Sequence, residues 1–423
     1  MTAFLAHNRL SESGRFRWVV CTLLFFATLI NYMDRQILSQ IKGILDNELH
    51  WSALDYGLVN SGFQASYAVS VLFFGWFVDR FGPRPGYAVS AAAWSVMAWM
   101  HSSVRSVGGF LGARIGLGLS EGGNFPAAIK CVTEWFPPHE RAFATSLFNT
   151  GANVGAFVAP AVVPLIALSW GWRPAFMLAG LAGMAWVVVW LVVYRDPAHQ
   201  AASRVAEVSP GARPHAWRLL LQRRQTWAFV SAKFLTDPVW WFFLIWLPDL
   251  FKRVYGLDIR ASGPKVAAIY GTITVLSIAV AWFTGRLAVR GFTMTRARKT
   301  MMLACALCVI PIWFIPALDV WPAVMVLALA GAAHQAWSAN LYSTVSDMFP
   351  ASVVASVIGF GTVAGAVGGM LFPLYSGYVL DSFQAAGRES EGYAHLLHLC
   401  AFAYVGTFIL HHWLAPRFEP AVQ

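Results

Sequence analysis

Twelve apolar stretches follow one another along the chain, each about as long as the roughly 20 residues that a helix needs to cross a bilayer. With 58% hydrophobic and 12% charged residues, the chain has too much apolar surface for a soluble core, since soluble proteins carry about twice that charged fraction. We therefore predict an all-α membrane protein with twelve transmembrane helices in two six-helix bundles. The predicted spans are 18–40, 56–78, 85–103, 107–133, 141–168, 174–194, 226–250, 264–288, 300–316, 321–346, 353–380 and 393–414.

A polar and basic gap separates the sixth span from the seventh and predicts the domain organisation. We expect an N-terminal bundle at 1–194, a cytoplasmic linker at 195–225 and a C-terminal bundle at 226–423. The two halves also resemble each other, because the Glu-Trp-Phe-Pro string at Glu134 returns as Asp-Met-Phe-Pro at Asp347, 213 residues later. Such an internal duplication is typical of secondary transporters.

The positive net charge of +10 is distributed unevenly between the two sides of the predicted membrane. Eighteen lysines and arginines fall on the side that carries both termini, and seven fall on the other. The positive-inside rule then places both termini in the cytoplasm of a multi-pass protein. Topology accounts for the charge, so no nucleic-acid partner is predicted.

The sequence carries no pattern typical of an enzyme site. Cys305 and Cys308 form a Cys-x-x-Cys inside an apolar span with no second pair, so we expect ordinary buried thiols there and no metal. Glycine-rich runs lie in apolar spans, which argues against phosphate-binding loops. We predict a protein that is not an enzyme, has no cofactor, and draws its energy from an ion gradient.

Four ionisable residues inside the first and fourth spans are the main candidates for function: Asp34, Arg35, Arg114 and Glu121. Charged side chains within a membrane span are costly and usually functional. Arg35 lies about six residues from the outer end of its span near Ile41, and Arg114 lies seven residues in from Val107, so each is about 10 Å deep. Two guanidinium groups at matching depth could bind one carboxylate through paired hydrogen bonds. The alternative is that each arginine only pairs with Asp34 or Glu121.

Asp34 and Glu121 are the candidate proton-coupling residues. Glu121 follows Arg114 by two helical turns, so both side chains point to the same side of the span. Desolvation and a nearby cation act on a buried carboxyl in opposite directions, and their balance allows a proton to be loaded and released. The alternative is a static ion pair that holds two helices together.

Further polar and aromatic side chains in several spans are candidate substrate contacts, because hydroxyl groups of a polar ligand need hydrogen-bond partners. In the seventh span, Asp237-Pro238 is expected to break the helix, with Lys233 one turn earlier neutralising the aspartate. Each of these candidates also has a plain packing role as its alternative. They are Tyr32, Tyr67, Asn149, Asn153, Trp241, His334, Gln335 and Asn340.

The loop between the second and third spans reads Gly75-Trp-Phe-Val-Asp79-Arg80-Phe-Gly82-Pro-Arg84 and resembles the signature loop of the major facilitator superfamily. We expect a tight turn whose Asp and Arg bridge neighbouring helix ends and act in gating. "INYMDRQILS" resembles the first span of the anion:cation symporter family. "RIGLGLSEGGNFPAAIKCVTEWFPPHERA", "FLTDPVWWFFLIWLP" and "AAHQAWSANLYSTVSDMFP" resemble bacterial hexuronate transporters.

This resemblance implies a major facilitator fold with a cavity built mainly by the first, fourth, seventh and tenth spans. In the related galactonate symporter pattern, an Asp-Arg pair and an Arg-x6-Glu serve proton coupling and substrate binding. The matching residues are Asp34, Arg35, Arg114 and Glu121.

From the residues and the resemblance together we predict a proton symporter that imports galacturonate or glucuronate by alternating access of two bundles, and that is monomeric. An aldonate, an aldarate or an aromatic acid is the alternative cargo. A membrane sensor would need a sizeable soluble output domain, whereas the longest polar segment has only about 30 residues.

Overall fold

The computed structural model describes residues 2–195, 214–289, 294–349 and 351–418, and within them every regular element is helical. Its α-helices are α1 Thr2–Leu49, α2 Ala53–Phe81, α3 Pro83–His101, α4 Val107–Glu121, α5 Asn124–Trp135, α6 Pro138–Trp170, α7 Arg173–Val193, α8 Pro214–Leu221, α9 Arg224–Tyr255, α10 Ile259–Val289, α11 Met294–Val309, α12 Val320–Met348, α13 Ala351–Ala385 and α14 Glu389–Leu414. A 3₁₀-helix at Ile310–Ala317 continues α11.

The helices correspond in order to the twelve predicted spans, and the all-α prediction is confirmed. Ten spans are single helices, the fourth is made of α4 and α5, and the ninth is made of α11 with the 3₁₀-helix. Among the described residues, nine helices are individually long and apolar enough to cross a membrane. The helix α8 lies in the predicted linker, whose residues 196–213 fall outside the described part of the chain.

The division of the fourth span was not foreseen, and its local cause is close packing. A Cβ at Gly122 would lie 2.5 Å from the Ser70 backbone, and one at Gly123 would lie 2.6 Å from the Ser90 side chain. Ending α4 there leaves its last carbonyls without helical partners. The Ser70 hydroxyl donates to Leu119 O at 2.5 Å, and the Ser90 hydroxyl donates to Ser120 O at 2.6 Å. The carbonyl groups of Leu119 and Ser120 therefore keep hydrogen-bond partners despite the break. The break also places Glu121 at the end of α4.

Two predictions of helix boundaries are wrong. The helix α9 runs unbroken through Pro238 and Pro248, although a break at Asp237-Pro238 was expected. A membrane helix tolerates proline because neighbouring groups satisfy the backbone that the ring disturbs. The helix α1 continues to Leu49, beyond the end expected near Ile41. Arg35 is therefore further from the helix end than its sequence position suggested.

The chain divides into two compact units by its internal contacts. The first contains Met1–Ile41 and Ala65–Val208, and the second contains Lys42–Gln64 and Ser209–Gln423. The sequence prediction had placed the whole of 1–194 in one bundle. The difference concerns the last part of α1 and the first part of α2, which pack with the helices of the second unit.

Candidate substrate and proton site

An ion pair between Arg35 of α1 and Glu121 of α4 is buried within the first unit. Arg35 Nε lies 2.6 Å from Glu121 Oε2, the Arg35 side chain is 9% exposed, and the Glu121 side chain is fully buried. Arg114 is also buried, and its Nη2 donates to the Arg35 backbone carbonyl at 3.2 Å. The two arginines predicted to share one anion are therefore brought together, and Glu121, two helical turns after Arg114, is in contact with Arg35.

Asp34 completes this cluster of four charges, which we call the Arg35 cluster: Asp34, Arg35, Arg114 and Glu121. The Asp34 carboxylate is buried, and neither of its oxygens has a hydrogen-bond partner among the described residues. It lies within electrostatic range of the other three members. Two guanidinium groups and two carboxyl groups make a site that is neutral when both carboxyls are ionised.

Aromatic rings cover the Arg35 guanidinium. Its Cζ lies 5.0 Å from the ring centre of Tyr32 and 4.6 Å from that of Tyr67, both within cation–π range. The structure thus brings both predicted tyrosines to the Arg35 cluster. It also adds Asn31, a buried residue one helical turn before Arg35 and within reach of Glu121, which the sequence did not single out. Its i, i+4 spacing from Arg35 is the signal that could have identified it.

The two asparagines of α6 are not brought to the Arg35 cluster. Gly151 and Gly155 pack against the backbone of α1, where a Cβ at Gly155 would lie 2.5 Å from Leu29 O. Asn153 is two residues from each glycine, which corresponds to roughly 200° around the helix, so it lies on the opposite side of α6. Asn149, four residues earlier, shares that side and is exposed. Their substrate role stays a prediction.

In the second unit, His334 of α12 is held between two aromatic side chains. Its Nδ1 shares a 2.5 Å hydrogen bond with the Tyr404 hydroxyl, and its ring stacks on Trp240 with centres 5.1 Å apart and planes 5° apart. Trp240, and not the predicted Trp241, is therefore the tryptophan at His334. Trp241 packs on α13, where a Cβ at Gly369 would lie 2.6 Å from its ring. The two tryptophans are adjacent in sequence, so only the helix orientation could distinguish them.

The other two predicted residues of α12 are Gln335 and Asn340. The Asn340 side chain donates to the Ala336 carbonyl one turn earlier at 2.9 Å, and Gln335 is half-buried.

The predicted i, i+4 ion pair of α9 is present, with Lys233 Nζ 2.6 Å from Asp237 Oδ2. The Lys233 amine also lies 4.8 Å from the ring centre of Tyr342.

The loop between α2 and α3 bridges neighbouring helix ends, as its sequence predicted. Gly82 alone connects α2 to α3 and has φ of 88°, a value that favours glycine. Asp79 pairs with Lys130 of α5 at 3.0 Å. Arg84 Nη2 donates to the Leu191 carbonyl near the end of α7 at 2.8 Å. Gly75 and Arg80, the other members of the motif, lie in α2, and the gating role of all five remains a prediction.

A buried ionic network in the second unit was missed by the sequence analysis. Lys42 Nζ lies 2.9 Å from Asp249 Oδ1 and 3.0 Å from Asp46 Oδ1. Asp249 Oδ2 also lies 2.9 Å from Arg253 Nε and accepts from the Tyr393 hydroxyl at 2.5 Å. Lys42 and Asp249 fell at or beyond the predicted span ends, so neither was counted as a charge inside the membrane.

The cysteines form no site within the described residues. All five are free, and no group of three or more metal-ligating side chains occurs in that part of the chain. Cys305 is buried and Cys308 half-buried in α11. Their placement agrees with ordinary thiols in an apolar helix.

Comparisons with known proteins settle the family. The family model of the Major Facilitator Superfamily matches residues 24–373, most of the chain. The chain belongs to the major facilitator superfamily. It is therefore a multi-pass membrane transport protein and not an enzyme, and the predicted major facilitator fold is confirmed.

Relatives at the level of sequence are transporters of sugar acids. The chain is 27% identical to the hexuronate transporter of Escherichia coli (strain K12) over 96% of its own length and 95% of the relative's. It is also 27% identical to the D-galactonate transporter of Escherichia coli O6:H1, over 94% of its length and 95% of the relative's. The predicted resemblance to hexuronate transporters is thus confirmed as a similarity.

Solved structures show the same fold at lower identity. A bacterial homologue of the human lysosomal transporter Spinster, in an inward-facing and occupied conformation, superposes with a TM-score of 0.76. The alignment covers 95% of this chain and 97% of that one at 16% identity. This similarity supports the architecture and carries no information about cargo.

Proposed function

We propose that the protein is a proton-coupled symporter that imports a hexuronate, galacturonate or glucuronate, by alternating access. The observation that carries this proposal is the Arg35–Glu121 ion pair within the buried Arg35 cluster. A guanidinium group held by an internal carboxylate is available to a substrate carboxylate only when the internal one is neutralised. Protonation of Glu121 does this, because a neutral carboxyl no longer competes for Arg35.

Charge balance explains why the proton and the anion would travel together. The Arg35 cluster is neutral with both carboxyls ionised, so an added substrate carboxylate alone would leave a buried net charge of −1. One proton on Glu121 restores neutrality, and burying an uncompensated charge costs several kcal/mol in a protein interior. Asp34 offers a second position for a proton beside the same two arginines.

We propose that side chains with hydroxyl groups and aromatic rings recognise the sugar ring. Tyr32 and Tyr67 flank Arg35 and can donate to ring hydroxyls while their faces support the guanidinium. His334, Gln335 and Asn340 of α12 remain predicted substrate contacts. We place the protein in the bacterial inner membrane because its relatives are bacterial transporters, and we place both termini in the cytoplasm on the strength of the charge asymmetry. We propose that it acts as a monomer.

The Glu121→Gln variant tests the coupling role. The amide cannot ionise, so we expect acid-driven galacturonate uptake into proteoliposomes to be abolished, whereas galacturonate counterflow, which needs no net proton movement, survives. The matched control is Glu48→Gln, an exposed carboxyl of α1, which should leave both activities unchanged. Equal loss of uptake and counterflow in Glu121→Gln would contradict a coupling role for Glu121.

The alternative cargo is another organic anion: an aldonate, an aldarate or an aromatic acid. The similarity to the D-galactonate transporter favours an aldonate among these. A thermal-shift screen of the purified protein against sugar acids, neutral sugars and aromatic acids separates the possibilities. We expect hexuronates to raise the melting temperature most and neutral sugars to have no effect, because only the anions can pair with Arg35 and Arg114.

A further inference from the structure

The start of α2 is held by a carboxylate of α13, at the end of the second unit that the charge asymmetry places outside. Asp381, near the end of α13, accepts from the backbone amides of Ala53 and Leu54 at 2.8 Å each. One carboxylate oxygen lies on each amide, so Asp381 holds the first two residues of α2. All of these residues belong to the second unit.

The local cap of α2 leaves those two amides open. Ser52 and Asp55 cap the helix start reciprocally: the Ser52 hydroxyl accepts from the Asp55 amide at 3.0 Å, and the Asp55 carboxylate accepts from the Ser52 amide at 3.0 Å. The first amides of an α-helix have no partner inside the helix. Asp381 supplies that partner, and its negative charge also interacts favourably with the helix N-terminus. The cap of α2 is therefore completed by a residue 328 positions after Ala53.

Ion pairs tie the end of α1 to α9 close to this cap. Lys42 pairs with the buried Asp249, whereas Asp46 pairs with Lys252 at 3.4 Å nearer the surface, where the lysine side chain is 42% exposed. A cavity of about 530 Å³ reaches Asp46, Lys252 and Asp381. Solvent in such a cavity hydrates both partners when a pair separates, so the pair opens at a lower cost than a fully buried one. We call the Asp381 cap and the pairs Lys42–Asp249 and Asp46–Lys252 the outer latch.

Further along α2, the contact with α13 is close. The Ser61 hydroxyl donates to Met370 O at 2.6 Å, and Ser61 is 3% exposed. A Cβ at Gly377 would lie 2.5 Å from Ala53 O, so the two backbones approach each other with no side chain between them. The path between α2 and α13 is therefore closed at this end of the second unit.

The outer latch joins helices that alternating access has to separate. The sequence assigns α1 and α2 to the first six spans, and α9 and α13 to the last six. Alternating access requires the two sets of spans to part on one side of the membrane at a time. We propose that the outer latch holds the outer side closed and that it releases before a cargo enters from outside. The inference rests on the proposed function only in assuming alternating access, since it involves neither the cargo, the proton nor the Arg35 cluster.

The test measures how often α2 and α13 separate, through a thiol placed between them. Ser61→Cys puts this thiol at the contact with Met370, in a Cys308→Ala background because the other four cysteines are buried. We call this protein the parent. A maleimide reacts with the purified full-length parent, and mass spectrometry locates the label. The labelling rate at position 61 follows the fraction of molecules in which the contact is open.

We expect Asp381→Ala in the parent to raise the labelling rate at position 61 about tenfold, because the lost helix cap stabilises only the closed arrangement. Asp381→Asn should fall between, since it keeps an acceptor oxygen and loses the charge. Asp55→Ala is the matched control: it removes a carboxylate from the same helix start, leaves the contact with α13 in place, and should not change the rate. Cys21, buried in the first unit, should label as slowly in every variant as in the parent.

Several results would overturn the proposal. Equal rates at position 61 in the parent and in Asp381→Ala would show that Asp381 does not hold the contact closed. Equal acceleration in Asp55→Ala would assign the effect to fraying of α2, and equal acceleration at Cys21 would assign it to a loss of global stability.

The parent gives a reading that does not depend on the folding of any Asp381 variant. Its thiol at position 61 should react at least roughly tenfold more slowly than that of Ala385→Cys, an exposed position at the end of α13. Equal rates at the two positions would contradict a closed outer side. Because no step of this test uses galacturonate or a pH gradient, its failure is distinct from a failure of the proposed symport.

Discussion

Arg35 makes contacts of three kinds within the first unit. It pairs with Glu121, its backbone carbonyl accepts from Arg114, and two tyrosine rings cover it. In the proposed mechanism, Arg35 reaches a substrate by exchanging the Glu121 carboxylate for the substrate's. We propose that the geometry of the guanidinium fork, and not charge alone, makes this exchange specific.

The Arg35→Lys variant separates fork geometry from charge. Lysine retains the positive charge but offers no paired hydrogen bonds to a carboxylate. We expect galacturonate affinity to fall roughly ten- to a hundredfold, the range for one lost charge-assisted hydrogen bond. Titration of purified protein by isothermal calorimetry measures it, and Arg15→Lys is the exposed control. Wild-type affinity in Arg35→Lys would show that Arg35 does not hold the carboxylate through a fork.

Residue patterns identified the Arg35 cluster from the sequence because ionisable groups stand out inside apolar spans. They could not separate Trp240 from Trp241, which differ only in the direction each faces on α9. They also missed Lys42 and Asp249, since the ends of apolar runs do not mark the ends of helices. A helix that continues past the hydrocarbon-like stretch carries charges that become buried only by tertiary packing.

The break between α4 and α5 is the element that positions Glu121. It rests on two glycines that allow close approach of α2 and α3, and on serine hydroxyls that satisfy the freed carbonyls. The sequence contained the Gly-Gly pair but gave no sign that neighbouring helices would approach it so closely. Contacts between distant segments, not local propensity, decide such a break.

The Gly122→Ala variant tests this packing. A Cβ there would lie 2.5 Å from the Ser70 backbone, which cannot move aside as a flexible side chain could, so we expect a loss of about 1–3 kcal/mol of stability. The matched control is Gly112→Ala inside α4, where no atom lies within 4 Å of the new Cβ and alanine favours the helix. The measurement compares the melting temperatures of the two purified variants. Equal melting temperatures would contradict the close approach of α2 and α4.

The ionic network around Asp249 leads to a prediction about the stability of the second unit. Asp249→Asn leaves Lys42 and Arg253 without their shared carboxylate in a buried site, so we expect a loss of about 3–5 kcal/mol. Glu391→Gln removes an exposed pair with Arg388 and should cost far less, because solvent screens such a pair. Denaturation of the two variants in one detergent compares them directly. A small effect in Asp249→Asn would mean that the network contributes little to the packing of α1 on α9.

At the scale of the whole molecule, the number and order of the spans could be predicted from length and hydropathy alone. The partition into units could not, because residues 42–64 group with the second unit through tertiary contacts that no local pattern encodes. Family membership then follows from a match over most of the chain, while the cargo and the coupling ion rest on the chemistry of one cluster.

The most direct test of proton coupling through the Arg35 cluster is the proton movement that accompanies substrate entry. Proteoliposomes in weakly buffered medium, with no initial pH gradient and with potassium and valinomycin to hold the membrane potential near zero, receive galacturonate while an external dye reports pH. We predict alkalinisation of the medium with galacturonate, none with galactose, and none in Glu121→Gln. Galacturonate entry into wild-type vesicles without proton uptake, or with a requirement for sodium, would contradict the account.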